Sequence, residues 1–175
     1  QLSDPTKDFS TWNRLVIFTA TNPANSVIAG VQFEFGALAT PRVRAFTDLG
    51  CHMSIDSAKL GFRVRGDDIE GLVIHAAESH WQEPTTTGPP LLVSQPAASL
   101  HGTLHTQTVY EIDVTGLVVA AFVGGAENVS FGLRTNHTSP WTLSIDSKEC
   151  SESFCVPPRL SLNLSFTCSE SPPVP

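Results

Sequence analysis

The chain has 175 residues, 41% of them hydrophobic and 15% charged, a balance that suits one compact domain with its own core and excludes a wholly disordered chain. Ten Lys and Arg against seventeen Asp and Glu leave a formal charge of -7, which argues against a nucleic-acid partner and leaves a polyanion only a local cluster of cations to bind. No run approaches the roughly 20 apolar residues of a bilayer span.

The first residues form an N-terminal extension, 1–11, ahead of a single domain expected over 12–168. The chain opens on Gln1, as a signal-peptidase product would. Leu15, Val16, Ile17 and Phe18 then give a strand apolar on both faces, which is either central in a sheet or covered by something else. Val31, Phe33 and Phe35 alternate with Gln32 and Glu34, the period-two pattern of a half-buried strand. Arg42 and Arg44 share a parity, and on the next strand Leu60, Phe62 and Val64 oppose Lys59, Gly61, Arg63 and Arg65. Five of the ten cations thus fall within residues 42–65. Between Gly66 and Gly71, a turn carrying Asp67, Asp68 and Glu70 has the oxygen ligands of a structural calcium site, or is a solvated hairpin.

Residues 84–108, rich in Pro, Thr, Ser and Gly, read as the longest irregular segment. One short helix is expected over 116–123: Thr115 caps it, Leu117, Val118, Ala121 and Phe122 form its apolar stripe, and Gly124-Gly125 ends it. Trp141, Leu143 and Ile145 alternate with Thr142, Ser144 and Asp146, and Leu160, Leu162, Leu164 and Phe166 alternate with Ser161, Asn163 and Ser165. Residues 169–175 form a Pro-rich tail.

Four cysteines, Cys51, Cys150, Cys155 and Cys168, allow three pairings. Cys150 with Cys155 reads as a stapled loop, which leaves Cys51 with Cys168; a zinc site is the alternative, but the spacing lacks a second close pair or a nearby His. Three sequons, at Asn128, Asn136 and Asn163, join the cysteines in suggesting a secreted, extracellular glycoprotein.

From residue 42 to 166 a series of short segments stands in a familiar order. These are Ile55-Asp-Ser-Ala-Lys-Leu-Gly-Phe, Trp81-Gln-Glu83, Tyr110-Glu-Ile-Asp113-Val-Thr115, the strand over 128–134, Ser147-Lys-Glu149 and Pro157-Pro-Arg-Leu-Ser-Leu. In that order they resemble the DNRLRE domain, also classed as carbohydrate-binding module family ninety-six. The resemblance implies an all-β jelly-roll β-sandwich, extracellular and non-catalytic, in a family some of whose members bind alginate. The chain departs from the family pattern at Pro84-Thr-Thr-Thr-Gly-Pro-Pro, at Phe122 in place of a helix Trp, and at Ser130 in place of a Gly. Glu83, Asp113 and Glu149 fall inside the resembling elements as structural carboxylates that brace loops and the helix start.

No hydrolase signature is present: the chain has no Gly-x-Ser-x-Gly elbow, no His-Glu-x-x-His and no phosphate loop, so no enzyme is expected. His101 and His105 have a spacing that binds metal only on a helix and stand instead in the irregular segment. Trp12, Trp81 and Trp141 are either core or sugar-stacking aromatics, with Trp141 beside a sequon the more open of them. Arg42, Arg44, Lys59, Arg63 and Arg65 form a strip that could take an acidic polysaccharide, or simply an outer sheet face.

The expectation is therefore a structural or adhesive extracellular subunit of a filament, coat or matrix. In that reading the strand at Leu15, Val16, Ile17 and Phe18 mediates self-association or docking on neighbouring matrix proteins. The alternative is an acidic-glycan-binding module without a required cofactor.

Overall fold

A computed structural model describes residues 7–8, 14–18, 28–38, 41–78, 96–135, 144–146 and 155–168. Within them run the strands β1 (Lys7–Asp8), β2 (Arg14–Phe18), β3 (Ile28–Glu34), β4 (Cys51–Arg65) and β5 (Ile69–Ala76). The later strands are β6 (Ala98–Leu104), β7 (Val109–Asp113), β8 (Asn128–Thr135), β9 (Ser144–Ile145) and β10 (Arg159–Cys168). A 3-10 turn at Phe35–Leu38 and two helices, α1 (Pro41–Asp48) and α2 (Thr115–Val123), complete the described elements.

One sheet has the order β1-β10-β4-β7, with β9 also on β4; the second has the order β2-β3-β8-β5-β6. Every pairing is antiparallel. With β2 and β9 set aside, the remaining strands pair first with last and so on inward: β1 with β10, β3 with β8, β4 with β7, β5 with β6. That is a long hairpin rolled on itself, the jelly-roll sandwich.

Alternation in the sequence becomes the core between the sheets. Leu60, Phe62 and Val64 of β4 meet Val31, Phe33, Leu72, Ile74, Phe131 and Leu133 of the second sheet in one buried cluster. Phe33 and Phe131 sit edge to face at 6.2 Å between centroids, a favoured aromatic geometry. Each of these large side chains removed from water contributes about 1.5–3 kcal/mol.

The α2 helix falls where expected, with a different cap. Val114 holds the N-cap position without a side-chain bond. Instead the Thr115 N–H donates to Asp113 Oδ1 at 2.8 Å, while Thr115 Oγ1 accepts the Ala58 N–H of β4 at 2.9 Å. The threonine thus fastens the helix start to the sheet. Val118 is fully buried, and Leu117, Ala121 and Phe122 pack on the core. Gly125, at φ 72°, adopts the left-handed conformation that ends the helix at little cost.

Three expectations are corrected. First, α1 is a second helix where a strand parity was read for Arg42 and Arg44. Pro41 opens it, preset for the first helical position, and Gly50 follows its end at φ 74°. Positions two apart on a helix diverge by about 200°, so the strand parity read for 42 and 44 does not hold. Phe46 of α1 stacks on Phe166 of β10 at 4.5 Å, which seats the helix against the first sheet. Second, β6 lies inside the segment read as irregular over 84–108. Its pattern is mostly exposed, with Leu104 buried, as befits an edge strand recruited by its ladder with β5 rather than by hydrophobic alternation. Third, of the two readings of Leu15 to Phe18, the central strand is not what is seen: among the described residues β2 pairs with β3 alone, which leaves the covered one.

Cys51 and Cys168 are bonded and directly paired in register across β4 and β10. In the chain-entropy model, closing a separation of 117 residues is worth up to about 5 kcal/mol. Cys155 is also disulfide-bonded, and its expected partner, Cys150, lies outside the described residues. So do Trp12, Trp81, Trp141, Asn136, Glu83, Glu149, residues 84–95 and the tail.

Candidate functional site

Because Leu60, Phe62 and Val64 point into the core, Lys59, Gly61, Arg63 and Arg65 carry the opposite parity on β4 and belong to the outer face of the first sheet. Register extends that face sideways: Arg159 of β10 and Glu111 of β7 flank Gly61, Ser161 and Asp113 flank Lys59, and Asn163 lies opposite Ser57. Gly61 leaves a gap that the Arg159 side chain fills, for a Cβ there would come within 3.1 Å of Arg159 Cγ. Arg159 Nη2 then reaches Glu111 Oε1 at 3.1 Å, and Lys59 Nζ stands 3.8 Å from Glu111 Oε2.

All three remain open to solvent, with side-chain exposures of 58% for Lys59, 40% for Glu111 and 37% for Arg159. Asp113 extends the row. Hydrogen bonds from Thr115 hold its carboxyl below the usual carboxylate range, with the Lys59 charge assisting. The face therefore presents ionised acceptors beside fixed donors, each with bonding capacity to spare.

Four residues further along β4 the same chemistry is closed off. Asp146 is 1% exposed. It is ion-paired with Arg63, Nε lying 2.6 Å from Oδ2, and with Arg65, and Oδ2 accepts the Val156 N–H at 2.8 Å. Its own N–H donates to the Arg63 carbonyl at 3.2 Å. A buried carboxylate without partners costs several kcal/mol, and here two guanidinium groups and a backbone donor offset that cost. The cluster clamps β9 and residues 155–158 onto β4.

This corrects the expected cationic strip. Arg63, 8% exposed, and Arg65, paired beside it, neutralise Asp146 instead of facing a ligand. Arg44 is exposed on α1, Arg42 lies in the same helix, and only Lys59 of the strip's β4 cations stands open. Trp141 lies outside the described residues. Sequence reasoning missed Glu111, Arg159 and Asp146. The signal for the first was the charged partner of Tyr110 and Ile112 on an alternating strand.

The middle of the second sheet's outer face is closed, while Glu34 and Arg134, which share its parity, are exposed. Gln32 lies opposite Ser130, and His75 opposite Gly132. All carry outward parity, yet Gln32, Ser130 and His75 are only 7%, 3% and 8% exposed.

At the turn after β4, Asp68 accepts the Thr106 N–H at 2.7 Å and meets His105 Nδ1 at 2.9 Å. The Thr106 bond and then His105 lower its pKa. Glu70 accepts the Thr103 hydroxyl at 3.4 Å, and His101 pairs with Ser99. Asp68 and Glu70, in the turn read as a solvated hairpin or a calcium site, thus lace one hairpin turn to its neighbour. Among the described residues no three His, Cys, Asp or Glu are grouped to hold a metal, and no helix is long and apolar enough to cross a membrane.

Of the sequons, Asn163 is exposed on β10 with Nδ2 donating to Ser57 Oγ at 2.7 Å. Asn128 is half-buried at the start of β8, with Oδ1 removed from solvent.

A family model described as carbohydrate-binding module family 96 matches residues 3–163. No curated protein matches the chain.

Proposed function

We propose, from the premise that the chain belongs to carbohydrate-binding module family 96, that it is a non-catalytic extracellular protein that binds a polysaccharide on the outer face of its first sheet. One observation carries the choice of face: Arg159, Glu111 and Lys59 form an ion-paired row that stays open to solvent, whereas Gln32, Ser130 and His75 in the middle of the second sheet's outer face are buried. A carboxylate flanked by two cations offers acceptor and donors side by side, the pattern that vicinal sugar hydroxyls match with paired, charge-assisted hydrogen bonds.

The class of polysaccharide follows from charge. Lys59 and Arg159 are balanced by Glu111 and Asp113, and the remaining cations of β4 are spent on Asp146. A neutral, hydroxyl-rich chain therefore suits the row better than the acidic glycan of the alternative sequence reading. The paired cysteines support an oxidising, extracellular setting. Calorimetric titration with neutral and acidic oligosaccharides tests the reading, which expects saturable binding of neutral ones, lost in Arg159→Ala. Binding that survives this change would move the site elsewhere.

A second reading keeps the chain as a structural or adhesive subunit. It is favoured by β2, an apolar strand at the edge of its sheet among the described residues, since such an edge is a template for pairing with another copy. Light scattering tests it: a defined oligomer or polymer disrupted by Val16→Lys supports self-assembly, and a monomer at all concentrations removes it.

A further inference from the structure

We infer that Asn163, and not Asn128, is a site of N-linked glycosylation, with the first sugar rooted on the outer face of the first sheet. The inference rests on the extracellular placement proposed above and not on the ligand row.

Both asparagines begin a permitted sequon, Asn163-Leu-Ser and Asn128-Val-Ser, so the sequence treats them alike. The fold does not. Asn163 is exposed in the middle of β10, beside a register shift at which β4 carries one extra residue. Such a bulge bends the strand that carries it and strengthens the local twist. Its amide nitrogen carries two hydrogens, one of them committed to Ser57 Oγ at 2.7 Å. Replacing the other by a sugar leaves that bond in place.

Asn128 stands in the opposite situation. Its Oδ1 is buried, it is paired in register with Glu34, and Ser130, two residues on with the same parity, is 3% exposed. To take a sugar, Asn128 would have to turn out a side chain whose Oδ1 is removed from solvent, beside the buried Ser130.

The step transfers an oligosaccharide from a lipid-pyrophosphate donor. The bond between sugar C1 and the pyrophosphate oxygen breaks, the Asn163 Nδ2–C1 bond forms, Nδ2 loses one proton, and the lipid pyrophosphate departs.

The test uses the full chain secreted from a eukaryotic host, in an Asn136→Gln background so that the third sequon is silent. Intact mass is read before and after peptide N-glycosidase. The expected result is a mass drop on enzyme treatment, kept in Asn128→Gln and lost in Asn163→Gln. Ser165→Ala, which removes the sequon while leaving Asn163 in place, gives the same loss should Asn163→Gln fail to be secreted. Peptide analysis of the treated protein should show Asp at position 163. A drop that survives Asn163→Gln, one that vanishes in Asn128→Gln, or no drop at all in the Asn136→Gln background would overturn the inference. Because Asn163 shares the outer face with Arg159 and Glu111, polysaccharide binding is measured separately, with and without the glycan.

Discussion

Lys59 and Arg63 stand four residues apart on one face of one strand, and their surroundings give them opposite roles. Around Lys59 the neighbours are strands: β10 on one side and β7 on the other, with Glu111 shared between Lys59 and Arg159 in the open. By Arg63 the β10 ladder has ended, since Arg159 pairs with Gly61. β9 takes its place, and residues 155–158 bring Val156 onto Asp146. The same ion-pair chemistry is therefore a solvated surface in one place and a buried clamp in the other. Charge patterning locates cations on a face, but the course of the neighbouring chain decides whether they are available to a ligand.

The contrast breaks most directly at Asp146. Asp146→Ala leaves two largely desolvated guanidinium groups uncompensated and should cost about 3–5 kcal/mol in denaturant unfolding. A cost below about 1 kcal/mol would show that the clamp is as solvated as the open row. At the far end of the same strand pair, replacing Cys51 and Cys168 by Ser should cost about 2–5 kcal/mol, read as a lowered unfolding midpoint that leaves the Arg63–Asp146 contact intact. Asp113→Ala sharpens the open side of the comparison. It removes the acceptor at the start of α2, a loss of about 0.5–2 kcal/mol by analogy with helix caps.

Glu111→Ala should change stability by no more than about 1 kcal/mol, the usual range for solvated pairs, while weakening polysaccharide binding. The smallest effect belongs to Asp68. Its folded-state pKa is lowered by the Thr106 N–H and then His105, so its contribution is present above the unfolded value of about 3.9 and is lost as pH falls through the lower folded value. A shift titration of the Thr106 amide should accordingly show its midpoint below about 3.9.

Much of the fold could be read from residues alone. Strict alternation at Leu60, Phe62 and Val64, and at Leu160 and Leu162, records half-buried strands because one face meets a core and the other meets water. The run at Leu117, Val118, Ala121 and Phe122 before two glycines records α2 for the same reason at helical period. The Cys51–Cys168 bond followed once the close pair was read as a loop. Two kinds of information were not local. Pro41 to Asp48 carries no strong apolar period, so α1 depends on docking Phe46 onto Phe166, a contact 120 residues away in the chain by their numbering. The fates of Arg63 and Arg65 depend on Asp146, which a sequence reading places on a separate strand without saying which strand it joins. The candidate row was half legible: Lys59 by parity, Glu111 and Arg159 only through register.

The central claim is that the open ion-paired row, and not the buried clamp or the second sheet, holds the polysaccharide. Calorimetric titration of neutral oligosaccharides into the wild-type protein and the Glu111→Ala/Arg159→Ala double variant tests it, with the unfolding midpoint of each measured alongside. The account predicts saturable binding to the wild type and an affinity loss of about tenfold or more, ~1.4 kcal/mol, in a variant that unfolds at nearly the same point. Equal affinity in the two proteins, or no binding of any neutral oligosaccharide to the wild type, would contradict it.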